Sequence, residues 1–292
     1  MNIGRFWIIA AVLGSAVLGS LVKMEAQGGR VEVESFPHER GQGVAPIYEG
    51  WFMAADGTIR VSFGYLNRNT KEAVDVPVGP NNRIEPGTFD RGQPTHFEPK
   101  RDIGVFTVTL PKGSKQEVTW TLVAHGFSYS VPSNLGDLYL ISPLKASGPP
   151  DLTSADAPKD NATPFARFSP DGPAAQGPSG IESSMKAAPG SPVSLSVWVT
   201  DDGIPRPRPG ATGRFSRGIT VDWSKVRGAG VVTFGDASPK LENGKATTSA
   251  TFQEPGSYRL RVKVDDHGGQ GQCCWTNAYV NVEVGSSTTG SR

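Results

Sequence analysis

Along most of the chain, apolar and polar residues alternate one by one, the period of a strand that turns one face to a core and the other to water. In "TIRVSFGY", Ile59, Val61, Phe63 and Tyr65 fall on one side while Arg60 and Ser62 fall on the other. The same period returns in "VFTVTL" through Phe106, Val108 and Leu110, and in "EVTWTLVA" through Val118, Trp120 and Leu122. No helical period is sustained, so residues 46–144 are expected to form a β-sandwich domain. Between these strands the segment from Pro77 to Arg101 is dense in proline and glycine, which disfavour ladder pairing and predict a long loop.

The second half carries the same pattern more strongly. "SPVSLSVWVTDDG" sends Val193, Leu195, Val197 and Val199 inward, and "GITVDWSKVRG" pairs Val221 with Trp223. "KATTSATFQEPGSYRLRVKVDD" reads as a strand to Phe252, a Pro255–Gly256 corner, then Tyr258, Leu260, Val262 and Val264. "NAYVNVEV" closes the set with Ala278, Val280, Val282 and Val284. Short strands separated by turn signals predict a second β-sandwich over 165–284, with "PFARFSP" as its first edge strand. Residues 145–164, rich in Pro, Ala and Ser, read as a semi-rigid linker, and 285–292 as a disordered tail. The fold class is all-β, two sandwiches in series.

Composition adds the compartment. A length of 292 residues leaves room for two modest cores. With 29 Lys+Arg against 28 Asp+Glu the formal charge is +1, so no global field gathers nucleic acid or an anionic membrane. The start places Arg5 before an apolar run from Phe6 to Val22, the layout of a secretory signal peptide over residues 1–26. Cleavage after Ala26 and an earlier cut near Gly19 or Ser20 both fit, and an uncleaved anchor is the alternative that would bring the protein to a membrane. A secreted or periplasmic protein is expected.

The segments "VWVTDDG", "VDWSKVRGAGVVTFG", "ATTSATFQEPGSYRLRVKVDD" and "YVNVEV" resemble a bacterial immunoglobulin-like domain of the type related to PKD and cadherin-like repeats. The "PGSY" corner is the most specific element, matching a tyrosine at the start of the penultimate strand. Of the Trp-Asp-Phe-Gly-Asp-Gly run usual in PKD domains only "TFGD", residues 233–236, is present. The first half, through "GYLNRN", "PVGPNNRIEPG" and "GQPTHFEPKR", is similar to a module of uncharacterised secreted bacterial proteins, a resemblance that implies no activity.

In such a sandwich the loop after the second strand and the loop before the last share one end. Here they begin with Asp201-Asp202 and Asp265-Asp266, so four carboxylates are expected on one rim. Calcium takes about six to eight hard oxygen ligands, and these residues are a candidate calcium site. The plainer reading is that Asp and Gly end strands and start turns. The two cysteines, Cys273 and Cys274, are neighbours, closer than the usual disulfide span. A vicinal disulfide stiffening the loop against Trp275 and free or intermolecularly paired thiols remain open, whereas a redox motif or a tetrahedral zinc set lacks its spacing. The loop from Gly203 to Gly218 gathers Arg206, Arg208, Arg214 and Arg217, suited either to an acidic glycan or carboxylate or to plain solvation. Arg259, Arg261 and Lys263 alternate with core residues and are expected on a wet face, paired to Glu283.

No hydrolase elbow, zinc-protease motif, phosphate loop or dinucleotide fingerprint occurs, and His96 and His125 are read as structural or surface residues. The sequence therefore points to an exported, non-enzymatic binding or scaffold protein of the bacterial envelope or extracellular space. It would recognise a protein or glycan at the cell surface, and no nucleic acid, through loops of the second domain. The alternatives are a carbohydrate-binding accessory with Trp198 and Trp275 as an aromatic platform, and a hydrolase using the Asn81–His96 loop.

Overall fold

The structure, a computed structural model, describes residues 38–145, 161–203, 218–267 and 273–285, all within one compact unit, Pro37–Arg292. The expected signal segment and tail, and most of the arginine-rich loop, lie outside the described residues. The described elements are sixteen strands and one 3-10 turn, Asp137–Tyr139.

The first lobe runs β1 (Val44–Met53), β2 (Ile59–Asn67), β3 (Val74–Asp75), β4 (Asn82–Glu85), β5 (His96–Phe97), β6 (Lys100–Leu110), β7 (Thr119–Ala124) and β8 (Phe127–Pro132). One sheet has the order β1-β2-β6, the facing sheet β4-β7-β8, and β3 and β5 form a short ladder of their own. The inward residues of the alternating segments meet between the sheets, as their period requires. Phe63, Phe106 and Trp120 form the aromatic centre, with Phe106 edge-on to Trp120 at 5.0 Å between ring centroids.

The expected long loop contains β4, which is a correction to the sequence reading. Pro80 and Pro86 lie either side of Asn82–Glu85 without interrupting it, and these four residues pair in register with Thr119–Leu122. Only Ile84 in this stretch is apolar, too little for a period to show. A buried amide does the rest: Asn82 Nδ2 donates to the Val76 and Pro94 carbonyls at 2.9 and 2.8 Å, and its Oδ1 accepts the Trp120 indole N–H at 3.0 Å.

The second lobe runs β9 (Phe165–Arg167), β10 (Ile181–Ala187), β11 (Val193–Thr200), β12 (Thr220–Arg227), β13 (Val232–Phe234), β14 (Lys245–Phe252), β15 (Gly256–Asp265) and β16 (Trp275–Val284). Its sheets have the orders β13-β14-β11-β9 and β10-β16-β15-β12, with β10 parallel to β16. Lettered in chain order these are D-E-B-A and A′-G-F-C, the immunoglobulin arrangement with its first strand shared between the sheets. The same lettering turns the first lobe into A-B-E against C-F-G, the constant-domain order without D. Both lobes are therefore immunoglobulin-like sandwiches, whereas the sequence identified only the second as such.

Two hallmarks of the fold appear in the second lobe. Trp223 is buried on strand C, and Tyr258, at the start of strand F, donates its hydroxyl to the Glu254 carbonyl at 2.8 Å. Room for that ring comes from Gly228, where φ is +118° and a Cβ would stand 2.3 Å from the Tyr258 ring. Replacing Tyr258 by Phe should keep the ring and lose about 1 kcal/mol with the hydrogen bond. Urea unfolding should show a lower midpoint at unchanged slope; an unmoved midpoint would mean that the corner is held by packing alone.

Candidate functional site

Strands β15 and β16 bury one face along their length and the middle of the other, at Arg261, Asn277 and Tyr279. One faces the core of the second lobe; the other meets β6 of the first lobe. There the ladder between β2 and β6 slips: Phe63 opposes Phe106 while Tyr65 opposes Asp102, so residues 103–105 bulge out of the sheet opposite Gly64. The carbonyls of the bulge receive donors from the second lobe. Arg261 Nη2 reaches the Ile103 carbonyl at 3.2 Å, Asn277 Nδ2 the Gly104 carbonyl at 2.7 Å, and the Tyr279 hydroxyl the Val105 carbonyl at 2.7 Å.

Arg261 is the centre of this junction. It is 1 % exposed, with Nη1 on Asp102 Oδ2 at 2.7 Å and Nε on Asn277 Oδ1 at 2.8 Å. Burial works against its charge, and the Asp102 carboxylate, Tyr279 and Tyr65 together outweigh that and hold the guanidinium above its ordinary pKa. Trp275 closes the junction from one side, lying so near Gly104 (φ +55°) that a Cβ there would be 2.4 Å from the indole. On the other side Arg227 grips Asp90 at 2.7 Å and the Gln93 carbonyl at 2.7 Å, and Val226 enters the core of the first lobe.

The expectation of a wet Arg259–Arg261–Lys263 stripe is thus overturned at Arg261. Its neighbours also pair differently: Arg259 bonds Glu182 at 2.6 Å, Lys263 bonds Asp265 at 2.9 Å, and Glu283 accepts the Ser257 hydroxyl at 2.8 Å. Alternation shows which residues share a face but not what that face touches.

The two Asp-Asp corners do share one end of the second lobe. Asn161 and Ala162 run between them, Asn161 Nδ2 donating to Asp266 Oδ2 and the Ala162 N–H to Asp202 Oδ2, each at 2.9 Å. Asp201 accepts the Gly203 N–H at 2.8 Å and Asp265 the His267 N–H at 2.8 Å, local turns of the kind Asp favours. Burial, then the adjoining Asp202 charge, raise the Asp201 carboxyl above its usual range against the Gly203 hydrogen bond. Among the described residues, no group of three or more His, Cys, Asp or Glu side chains is arranged to hold a metal ion. Two buried acceptors at this rim, Asn161 Oδ1 and Asp201 Oδ1, meet no donor among the described residues.

Cys273 and Cys274 are joined to each other, which settles the pairing left open by the sequence. The Cys274 carbonyl accepts the Asp266 N–H at 3.4 Å, so the disulfide adjoins the rim and leads directly into Trp275 at the lobe junction. Trp275 is 3 % exposed and buried there, so it forms no platform with Trp198. Trp198 lies on the opposite sheet, half-buried, with the Lys245 ammonium 4.7 Å from its ring.

His96 is buried with both ring nitrogens engaged, Nδ1 by Asp75 at 2.7 Å and Nε2 by Glu98 at 3.1 Å. Burial pulls its pKa down, and the two carboxylate hydrogen bonds outweigh that and raise it. With a carboxylate at each ring nitrogen, neither nitrogen is left to face a substrate proton. His125 is exposed, 3.7 Å from Glu72.

No family model matches the chain, and no curated protein matches it. Among solved structures, the titin domains Z1Z2 in complex with telethonin align over 84% of this chain and 98% of their own, at 13% identity and a TM-score of 0.25. The D0-D1 domain of intimin aligns over 83% and 100%, at 14% identity and 0.24. The fibronectin(III)-like modules of CbhA from Clostridium thermocellum align over 85% and 97%, at 10% and 0.24. Scores at this level carry no argument about function, and the immunoglobulin-like assignment rests on strand order.

Arg261→Ala leaves Asp102 without its partner and two acceptors, the Ile103 carbonyl and Asn277 Oδ1, without a donor. It should cost about 3–5 kcal/mol in denaturant unfolding of the full chain. Arg261→Lys should recover only part, because an ammonium cannot reproduce the planar fork. A loss below about 1 kcal/mol, the size of an exposed pair, would show that the junction does not depend on this residue.

Proposed function

We propose that the protein is an exported, non-enzymatic binding or scaffold component of the bacterial envelope or extracellular space. Its two immunoglobulin-like lobes act as one fixed body that presents the Asp-Asp rim to a protein or glycan at the cell surface. The observation that carries this reading is the junction around Arg261. It holds the lobes in one arrangement, so a partner binding the rim need not first order a hinge. The histidine best placed for catalysis, His96, is held at both nitrogens. Export is supported by the apolar run from Phe6 to Val22 and by a disulfide of the kind that persists in oxidising compartments. Expression with its own leader in a bacterial host should deliver the chain outside the cytoplasm, with a new amino terminus between Ser20 and Gln27. Retention of the full-length chain in the cytosol would overturn the reading.

A calcium ion at the rim is the second part of the proposal. The orphaned acceptors Asn161 Oδ1 and Asp201 Oδ1, beside Asp202, Asp265 and Asp266, are hard oxygens of the type calcium takes. Bound calcium would stabilise the folded chain by mass action, raising the melting midpoint in calcium and lowering it again in chelator. A midpoint indifferent to both removes the metal and leaves the lobe junction intact.

A further inference from the structure

Trp198 stands at an outward position of β11, between the buried Val197 and Val199. The ring is half-buried, between Arg167 and Lys245 of the neighbouring strands, with the Lys245 ammonium 4.7 Å from its centre. The sheet that carries it, D-E-B-A, is the one not pressed against the first lobe. On this outer face Trp198 forms one wall of a groove of about 660 Å³, whose other walls include Asp236, Lys240, Glu242, Asn243 and Lys245. That volume falls in the range of small-ligand sites.

The walls are held in place without a ligand. The Asp236 N–H donates to Thr248 Oγ1 at 3.0 Å, and the Ser238 N–H donates to Asp236 Oδ1 at 2.9 Å. Ser238 Oγ donates to Asp222 Oδ1 at 2.6 Å and the Trp223 N–H to the Ala237 carbonyl at 2.7 Å, tying the segment to the other sheet. Glu242 and Lys245 exchange backbone hydrogen bonds at 2.9 Å around Asn243 (φ +50°) and Gly244 (φ +76°), the Asn-Gly geometry of a tight hairpin. Apart from the Lys245 side chain, which lies over the indole, these walls need not be ordered by a ligand.

The chemistry of the groove combines one aromatic face with carboxylates, an amide and ammonium groups in equal charge. A pyranose ring has the complementary form: a face of C–H groups for the indole and a rim of hydroxyls that donate to Asp236 and Glu242 and accept from Asn243, Lys240 and Lys245. Two carboxylates offset two ammoniums, so the groove has no net charge with which to favour an anionic ligand. We propose that the Trp198 groove binds a neutral pyranose oligosaccharide. Lys245 leaves the Trp198 ring as the sugar enters, exchanging a weak cation–π contact for a hydroxyl. This site goes beyond the rim reading and is independent of it.

The test is titration of the isotope-labelled full chain with cellotetraose, chitotetraose and maltotetraose, followed by backbone amide shifts. At least one sugar should give saturable shifts confined to residues 196–200 and 235–248. Trp198→Ala should weaken that binding about tenfold, the effect of truncating an aromatic anchor, without moving the melting midpoint. Trp198→Phe should restore part of it, and Glu242→Gln, on an exposed turn, should weaken it a few-fold with the fold intact. No saturable shift with any of the three, unchanged affinity in Trp198→Ala, or shifts centred on the Asp-Asp rim would each overturn the proposal. None of those results would touch the export test or the Arg261 junction.

Discussion

A three-residue bulge in one strand governs how the molecule is put together. By leaving the ladder at residues 103–105, β6 frees carbonyls that would otherwise point along its own sheet, and the second lobe supplies Arg261, Asn277 and Tyr279 to meet them. Water could hydrate those carbonyls if the lobes parted, so the hydrogen bonds alone are nearly neutral. What separation cannot restore is the dry setting of the Arg261–Asp102 pair and the burial of Trp275, Tyr279 and Val226. Polar matching fixes the register of the junction, and apolar burial supplies its strength.

That junction divides the surface of the second lobe. The middle of its C-F-G-A′ sheet, at Arg227, Arg261, Asn277 and Tyr279, is committed to the first lobe, whereas the outward residues of A′, Glu182, Ser184 and Lys186, stay exposed. The vicinal disulfide adjoins the junction, one residue before Trp275 and hydrogen-bonded through the Cys274 carbonyl to the Asp266 corner. Residues 161–164, at the end of the expected linker, are drawn into the same corner: Asn161 and Thr163 are buried, and Thr163 N–H donates to the Leu144 carbonyl at 3.1 Å. Rim, disulfide and lobe junction are therefore neighbours in one hydrogen-bonded layer.

Much of the fold is legible in the sequence. The inward residues from Ile59 to Leu122 and from Val197 to Val284 were readable because a strand with one core face leaves a period of two in any sequence. Tyr258 was readable because the Pro-Gly corner before it is local. Strand β4 was not: four residues with a single apolar member, between prolines, carry no period, and what secures them is pairing with the distant β7 and the Asn82 side chain, which bonds Val76, Pro94 and the Trp120 indole. The immunoglobulin order of the first lobe was hidden for the same reason, since β4 is its strand C.

Sequence alone determined the all-β class, the core faces of the long strands and the tyrosine corner, because each depends on residues a few places apart. Tertiary structure decided the rest: that Arg261, Asn277 and Tyr279 face another lobe rather than water, that Trp275 is buried while Trp198 borders a groove, and that the adjacent cysteines pair. Periodicity assigns side chains to a face; only the packing of distant segments determines what that face meets.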